Sequence, residues 1–257
     1  MRHVSIIGIG PGDPDCLTLR AARRIAEVDV FFFLDKVGRG KDELLALRRT
    51  ILDRHATPGR YRVVTVPSPV RDTSASYRDG VEDWYAERLA IFRRLITDEL
   101  TEEGHGAFLV WGDPGLYDGT LQILARLSGE EGASFDYDVL PGITAVQALA
   151  ARHRIPLNRI GESIEITTGR RLETADPASL HNSVVLLDGN ATFQRFTQTD
   201  LEIYWGAYLG TPDEILISGP LAETSEAILA RRERARQAKG WIMDTYILRK
   251  PEDEAKG

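Results

Sequence analysis

The sequence predicts a two-domain α/β protein, with a parallel sheet covered by helices on both faces at the amino terminus, followed by a domain with a mixed sheet. In the first half, short apolar runs alternate with longer segments whose apolar residues recur at helical spacing, a pattern typical of parallel strands joined by helices. After about residue 161, strand-like segments follow one another across short turns with fewer helices. We therefore expect domains at residues 1–143 and 150–257.

The strands predicted in the first domain are short runs of mainly apolar residues, at 4–9, 30–34, 62–66, 108–111 and 137–140. Helices are predicted between them, at 18–28, 41–55, 77–103 and 120–127. Thr18 stands where the first helix should begin, and its side-chain oxygen suits an N-cap. The second domain has predicted strands at 163–168, 184–187, 202–209, 214–218 and 241–248.

The composition of the 257 residues excludes several classes of protein. There are 32 Lys and Arg against 39 Asp and Glu, a formal net charge of −7, which disfavours a general nucleic-acid-binding surface. A single cysteine, Cys16, leaves no disulfide scaffold or cysteine-zinc site, and the five histidines have no metal-ligand spacing. No apolar stretch approaches the roughly 20 residues of a membrane helix. We expect a cytoplasmic protein that binds no metal, nucleic acid or membrane.

The first predicted strand runs directly into a glycine-rich turn, Gly-Ile-Gly-Pro-Gly-Asp-Pro at residues 8–14. Glycines after a strand let the backbone turn tightly and approach a ligand. A dinucleotide fingerprint needs glycine where Asp13 stands, and Pro11 removes an amide that would face a pyrophosphate. A P-loop is excluded because no Gly-Lys-Ser/Thr follows. The turn therefore indicates either a different ligand or a purely structural bend.

Two more Gly/Pro turns follow predicted strands, at residues 111–117 and 140–145. Ligands of open α/β sheets bind beyond the carboxyl ends of the strands, and all three turns occupy that position. In the second turn, Asp113 suits either a hydrogen bond to a ligand or an Asp-Pro turn with a helix cap. We expect the three turns to converge on one crevice.

The segment from Lys36 to Arg62 is locally basic, with eight Lys and Arg against three Asp and Glu, a net charge of +5. Such an excess can hold and steer an anionic ligand although the whole chain is acidic. The arginines on the helix at 41–55 are interpreted as a solvated helix face, namely Arg48, Arg49 and Arg54.

Taken together, the three turns, in the forms Gly-Ile-Gly-Pro-Gly-Asp-Pro-Asp, Gly-Asp-Pro and Pro-Gly-Ile-Thr-Ala, resemble those of the tetrapyrrole methylase family, and Thr-Thr-Gly-Arg at 167–170 continues the likeness. The resemblance covers the chain in order. Within the family, residues 32–36, 67–72 and 204–212 are most similar to members that methylate carbon 1 of precorrin-5 and release acetate. The resemblance thus implies a C-methyltransferase of corrin synthesis.

The resemblance also implies S-adenosylmethionine as cofactor, bound in a cleft between the two domains of each subunit in a homodimer. The cofactor contacts that it carries over lie on the three turns and on two strand ends of the second domain: Pro11, Gly112, Asp113, Leu116, Tyr117, Thr144, Ala145, Leu187 and Ala207.

Methyl transfer from a sulfonium needs an in-line approach by an electron-rich carbon, so positioning alone can supply much of the acceleration. Deacylation needs a water and a group that handles its proton. The candidates for catalysis are Asp35, which follows the strand at 30–34, Asp72 and Tyr77. The anionic substrate would be bound by basic residues on loops beyond strand ends, namely Lys36, Arg39 and Arg71.

Other functions remain open from the sequence. One is another tetrapyrrole methylase, acting on a different precorrin or on uroporphyrinogen, or a methylase of protein or RNA with the same fold. A second is a non-catalytic module that binds an adenosine ligand, which would need no basic flank. A nicotinamide-dependent oxidoreductase is disfavoured by Asp13.

Overall fold

A computed structural model describes residues 1–35, 42–69 and 77–251 of the chain. The chain divides into two compact units, Met1–Ile143 and Thr144–Gly257. None of the helices in the described residues has both the length and the apolar character that crossing a membrane requires.

The first unit is a five-stranded sheet in the order β3-β2-β4-β1-β5, and every neighbouring pair is parallel. Its strands are β1 (Arg2–Gly8), β2 (Val30–Asp35), β3 (Arg62–Pro67), β4 (His105–Val110) and β5 (Phe135–Leu140). Its helices are α1 (Leu19–Ile25), α2 (Asp42–His55), α3 (Tyr77–Glu99) and α4 (Thr120–Ser128).

Successive residues of the central strands point to opposite faces, and both faces are buried. On one face, Ile6 and Phe108 pack with Phe92 of α3 and Leu124 of α4. On the other face, buried residues of the same strands, among them Ile7, pack against α1 and α2. This two-sided burial explains the continuous apolar runs in the sequence and confirms a parallel sheet with helices on both faces.

The predicted helices of the first unit differ from the observed ones mainly at their ends. The Thr18 hydroxyl accepts a hydrogen bond from the amide of Ala21, so the predicted N-cap of α1 is confirmed. The prediction for α3 was wrong at its end, because the helix stops at Glu99 and not at residue 103. A turn closed by the Gly104 amide and the Thr101 carbonyl follows the helix and leads into β4.

The second unit is a mixed sheet in the order β6-β7-β10-β8-β9, in which only β6 and β7 are parallel. Its strands are β6 (Glu165–Thr168), β7 (Asn182–Leu186), β8 (Glu202–Ala207), β9 (Ile215–Pro220) and β10 (Asp244–Arg249). Its helices are α5 (Ala145–His153), α6 (Gly169–Leu172) and α7 (Leu221–Lys239). The predicted mixed sheet is confirmed.

The sequence patterns did not reveal α7, which is 19 residues long. Its buried face contains Leu221, Ile228 and Ala235, but Ser225 and Arg232 are buried on it as well. Because polar residues interrupt the inward face, the apolar spacing typical of a helix is lost from the sequence.

Candidate active site

The first two glycine turns meet through their backbones beyond the carboxyl ends of β1 and β4. The Gly112 amide donates to the Gly10 carbonyl at 2.8 Å, and the Gly10 amide donates to the Gly112 carbonyl at 3.3 Å. Both glycines have positive φ, at 81° for Gly10 and 67° for Gly112, which side chains disfavour. The contact between these two turns therefore depends on glycine at both positions.

The third turn closes against the same junction. A Cβ added to Gly142 would overlap the carbonyl oxygen of Gly112, and one added to Gly8 would lie 2.5 Å from the Gly142 amide nitrogen. No residue other than glycine fits where backbones touch in this way. The convergence of three turns that the sequence predicted is confirmed within the first unit.

Asp113 connects the second turn to the third. Its Oδ1 accepts from the Gly115 amide at 2.8 Å, and its Oδ2 accepts from the Gly142 amide at 2.9 Å. Of the two roles open from the sequence, the structure shows the turn-forming one. Each oxygen keeps a further lone pair, but the carboxylate already fixes the geometry of both turns.

Backbone strain occurs at two of the predicted cofactor residues. Five non-glycine residues of the described chain have positive φ, and two of them are predicted contacts, Tyr117 at 53° and Leu187 at 54°. A third, Tyr208 at 51°, directly follows Ala207. Such strain persists where the surroundings enforce it, and it clusters at ligand sites. Leu187 is also 68% exposed although it is apolar.

The remaining predicted cofactor residues differ in how much of each is accessible. Pro11 is buried and Leu116 half-buried in the first unit, and Ala207 is buried at the end of β8. Thr144 and Ala145 begin α5. The Thr144 hydroxyl already takes part in a capping box with Gln147. It therefore has little hydrogen-bonding capacity left for a ligand.

A buried polar cluster holds the Leu187 turn in the second unit, and sequence reasoning missed it. The Asp188 carboxylate accepts from the Thr192 amide and from the Tyr246 hydroxyl, both at 2.6 Å. Arg232 donates to the Asp188 carbonyl at 2.8 Å. Burial and the adjacent carboxylate raise the pKa of Tyr246 above its ordinary value, so the phenol stays protonated and donates. The polar turn sequence after β7 is the signal that could have revealed Asp188.

Asp35, the first catalytic candidate, is the last residue of β2 and is half-buried. Its carbonyl accepts from the Ser68 amide at 2.7 Å. The other candidates lie outside what the structure describes, because residues 36–41 and 70–76 and the side chain of Tyr77 are not described. This applies to the predicted catalytic Asp72 and to the predicted substrate ligands Lys36, Arg39 and Arg71.

The interpretation of the basic helix face was wrong for Arg48. Its Nε donates to the Leu109 carbonyl at 3.2 Å, and its guanidinium carbon lies 5.9 Å from the centre of the Phe33 ring. Burial lowers the pKa of Arg48, although the charge of Asp118 opposes this shift. Arg49 is exposed, and the exposed Arg54 pairs with Asp15 at 3.0 Å. Tertiary contact with β4, invisible in the helix pattern, explains the difference.

Among the described residues, no group of three or more His, Cys, Asp or Glu side chains is arranged to hold a metal ion.

An open parallel sheet with three backbone turns joined at its carboxyl edge places the first unit in the class of ligand-binding α/β proteins. Comparison with known families makes the class specific. The sequence model of the family described as Tetrapyrrole (Corrin/Porphyrin) Methylases matches residues 3–225. The chain belongs to the tetrapyrrole methylase family.

Individual relatives agree with this assignment. The chain is 50% identical over 254 residues to a precorrin-6A synthase [deacetylating] from Sinorhizobium sp., covering 98% of this chain and 97% of the relative. A crystal structure of a cobalamin synthesis related protein from Corynebacterium diphtheriae is 40% identical, with a TM-score of 0.83 and coverage of 97% and 99%. A uroporphyrin-III C-methyltransferase from Thermus thermophilus in complex with S-adenosylhomocysteine shares the fold, at 19% identity, a TM-score of 0.57 and coverage of 96% and 97%.

Proposed function

We propose that this chain is an S-adenosylmethionine-dependent C-methyltransferase that methylates precorrin-5 at carbon 1 and releases acetate to give precorrin-6A. The observation that supports this most strongly is the 50% identity to a precorrin-6A synthase [deacetylating] across nearly the whole of both chains. We place the enzyme in the cytoplasm as a homodimer. Light scattering of the purified protein tests the dimer.

The residues of the three turns fit an adenosyl cofactor. Backbone amides and carbonyls approach one another at Gly8, Gly112 and Gly142 without side chains between them, and the apolar Ile143 beside them is 37% exposed. Glycine turns and exposed apolar side chains suit a ligand with both polar and aromatic parts. In the second unit, the exposed Leu187 has a strained conformation directly before Asp188 in the chain. When bound, S-adenosylmethionine supplies a methyl group already activated by a sulfonium.

The protein's own contribution to the chemistry is positioning and proton handling. Asp35 lies at the carboxyl end of β2, at the sheet edge where the turns meet, and we assign it a proton-handling role together with Asp72 and Tyr77. Carbon 1 of the substrate gains a methyl group. Water adds to the acetyl carbonyl, and the bond from the acetyl group to the ring breaks and leaves its electron pair on the ring for the new bond between carbon 1 and the methyl group. Acetate, two protons and S-adenosylhomocysteine are released. Lys36, Arg39 and Arg71 are the proposed partners of the substrate carboxylates.

Mass spectrometry of the products from precorrin-5 and S-adenosylmethionine tests this function, with the added methyl and the lost acetyl group scored separately. We expect both changes in one product and free acetate in solution. Methyl addition with the acetyl group retained would point to another tetrapyrrole methylase. Binding of S-adenosylmethionine in calorimetry without any methylated product would favour the non-catalytic module, and binding of NAD would favour an oxidoreductase.

A further inference from the structure

Two partly buried arginines from different helices of the first unit lie within the influence of the same carboxylate, that of Asp118. Arg48 of α2 contacts the sheet just beyond the point where β2 and β4 stop pairing. These strands are paired only at Val30–Phe32 and Gly106–Phe108. Just beyond, the Arg48 Nε donates to the Leu109 carbonyl. Its guanidinium is thereby held at the carboxyl edge of the sheet.

Arg88 of α3 is held by aromatic rings. Its guanidinium carbon lies 4.8 Å from the Trp84 ring centre and 5.4 Å from the Phe92 ring centre. Its Nε is buried and has no hydrogen-bond acceptor among the described residues. Its Nη1 would lie 3.2 Å from a Cβ built on Gly119, so the guanidinium packs directly against this loop.

The two arginines share one counter-charge. The carboxylate of Asp118 acts on both of them, Tyr85 is the other titratable group that acts on Arg88, and burial lowers the pKa of both arginines. One oxygen of Asp118 is already engaged by the Thr120 amide at 2.7 Å. Among the described residues, one carboxylate therefore faces two guanidiniums. Because arginine stays protonated, this leaves a positive charge uncompensated there, and a desolvated charge without a partner is costly. An anionic ligand would remove that cost.

We propose that Arg48 and Arg88 together bind a carboxylate of the macrocyclic substrate, and this inference rests on the proposed function. A guanidinium presents a planar fork of donors that matches a carboxylate, and aromatic rings against its faces fix the orientation of that fork. The loop against which Arg88 packs, 112–119, contains Asp118 and also Gly112, Asp113, Leu116 and Tyr117. A carboxylate bound here places the ring beside the cofactor turns.

The test compares methionine variants of the two arginines with variants of exposed arginines on the same helices. Arg48→Met and Arg88→Met are the test variants, and Arg49→Met and Arg94→Met are the matched controls. We expect each test variant to raise the KM for precorrin-5 about tenfold with kcat nearly unchanged, and the controls to behave as wild type. Affinity for S-adenosylmethionine should stay at the wild-type value in both test variants. Arg88→Met should also keep the wild-type melting temperature, which a merely structural role would not allow.

A second readout needs no turnover. Fluorescence quenching by uroporphyrin III, with eight carboxylates, should give a Kd that rises about tenfold in each test variant. Coproporphyrin III, with four carboxylates, should bind more weakly to wild type, and its Kd should rise less in the test variants. Arg48→Lys and Arg88→Lys keep the charge but not the fork of donors, so their Kd values should lie between those of wild type and of the methionine variants. These lysine variants also replace any methionine variant that does not fold.

The outcomes separate the two proposals. If precorrin-5 is methylated while the test variants keep the wild-type KM and uroporphyrin Kd, the arginine site is refuted and the function stands. If no methylation occurs but uroporphyrin affinity falls only in the test variants, the carboxylate site stands and the function is refuted. Absence of uroporphyrin binding by wild type, or equal losses in the control variants, also overturns the arginine site.

Discussion

Arg232 in the second unit, which is buried, and Arg88 in the first, which is partly buried, differ in how their donors are satisfied. Arg232 is 2% exposed and forms an ion pair with Asp244, while its Nη2 donates to the carbonyls of Asp188 at 2.8 Å and Gly189 at 3.4 Å. Arg88 lies against Trp84 and Phe92, and its Nε has no acceptor in the described part of the chain.

The difference separates a structural charge from a binding one. Nearly all buried polar groups in folded proteins have partners, so a group whose partners all come from the chain needs nothing further. Arg232 completes a hydrogen-bond network around Asp188 and thereby stabilises the turn that contains Leu187. Arg88 keeps a donor for which the described residues supply no acceptor. Stability should therefore depend on Arg232, and ligand affinity on Arg88.

The largest expected effect is that of Arg232→Met on stability. The change leaves Asp244 buried without its cation and frees two carbonyls, and breaking a buried pair in this way costs about 3–5 kcal/mol. Urea denaturation followed by tryptophan fluorescence measures it. Arg88→Met is the matched comparison and should cost less than about 1 kcal/mol, because methionine retains the apolar contacts with the rings. Equal losses for the two variants would abolish the distinction between them.

Gly142→Ala tests the junction of the glycine turns, where the turns contact one another through backbone atoms alone. The new methyl group would overlap the Gly112 carbonyl, so the turns must separate, and overpacking of this kind costs about 2–3 kcal/mol. Affinity for S-adenosylmethionine, measured by calorimetry, should fall by more than tenfold. Gly129→Ala is the control, because its Cβ would lie 3.6 Å from the nearest carbonyls, an ordinary contact. Normal cofactor affinity in Gly142→Ala would show that the junction of the turns is not part of the site.

Asp113→Ala should have a smaller effect on the same junction. Two backbone amides lose a charged acceptor, which costs about 2 kcal/mol, and the second and third turns lose their connection. We expect affinity for S-adenosylmethionine to fall about tenfold. Asp136→Ala, at an exposed position of β5, should leave affinity unchanged. Unchanged affinity in Asp113→Ala itself would remove this residue from the candidate site.

What the sequence predicted well is what short-range chemistry determines. The glycine turns, the N-cap of α1 and the two-faced burial of the parallel strands all depend on residues within a few positions of one another. The position of Asp35 at a strand end followed from the same reasoning. These features could therefore be inferred from the order of residues alone.

What the sequence did not predict depends on partners far along the chain. Arg48 was interpreted as solvated because its acceptor, the Leu109 carbonyl, is 61 positions away. The Asp188 network was missed because Arg232 is 44 positions from it, and the same buried arginine obscured the helical pattern of α7. A buried charge resembles an exposed one until its tertiary partners are known.

The smallest expected effect concerns His105 at the amino end of the first sheet, where the polar groups are already paired. Its Nε2 lies 2.9 Å from the Ser5 hydroxyl oxygen, and that hydroxyl donates to Asp138 at 2.6 Å. Burial lowers the pKa of His105 to about 4; His3 and Arg24 add to this shift, while Asp138 and Asp29 oppose it.

Because the folded-state pKa of His105 lies below its unfolded value of about 6.5, acidification protonates the unfolded chain first. The stability that the neutral imidazole provides is complete above pH 6.5 and is lost as the pH falls from 6.5 to about 4. We expect wild type to lose about 1 kcal/mol more than His105→Gln between pH 7 and pH 5, a value discounted because the ring is only half-buried. Urea denaturation at the two pH values measures the difference, in which the other titrating groups cancel. Cofactor affinity at pH 7 should be the same in both proteins, since this cluster lies at the opposite end of the strands from the glycine turns. A loss of affinity in His105→Gln would show that the two ends of the sheet are coupled, and partnered polar groups could then no longer be classed as purely structural.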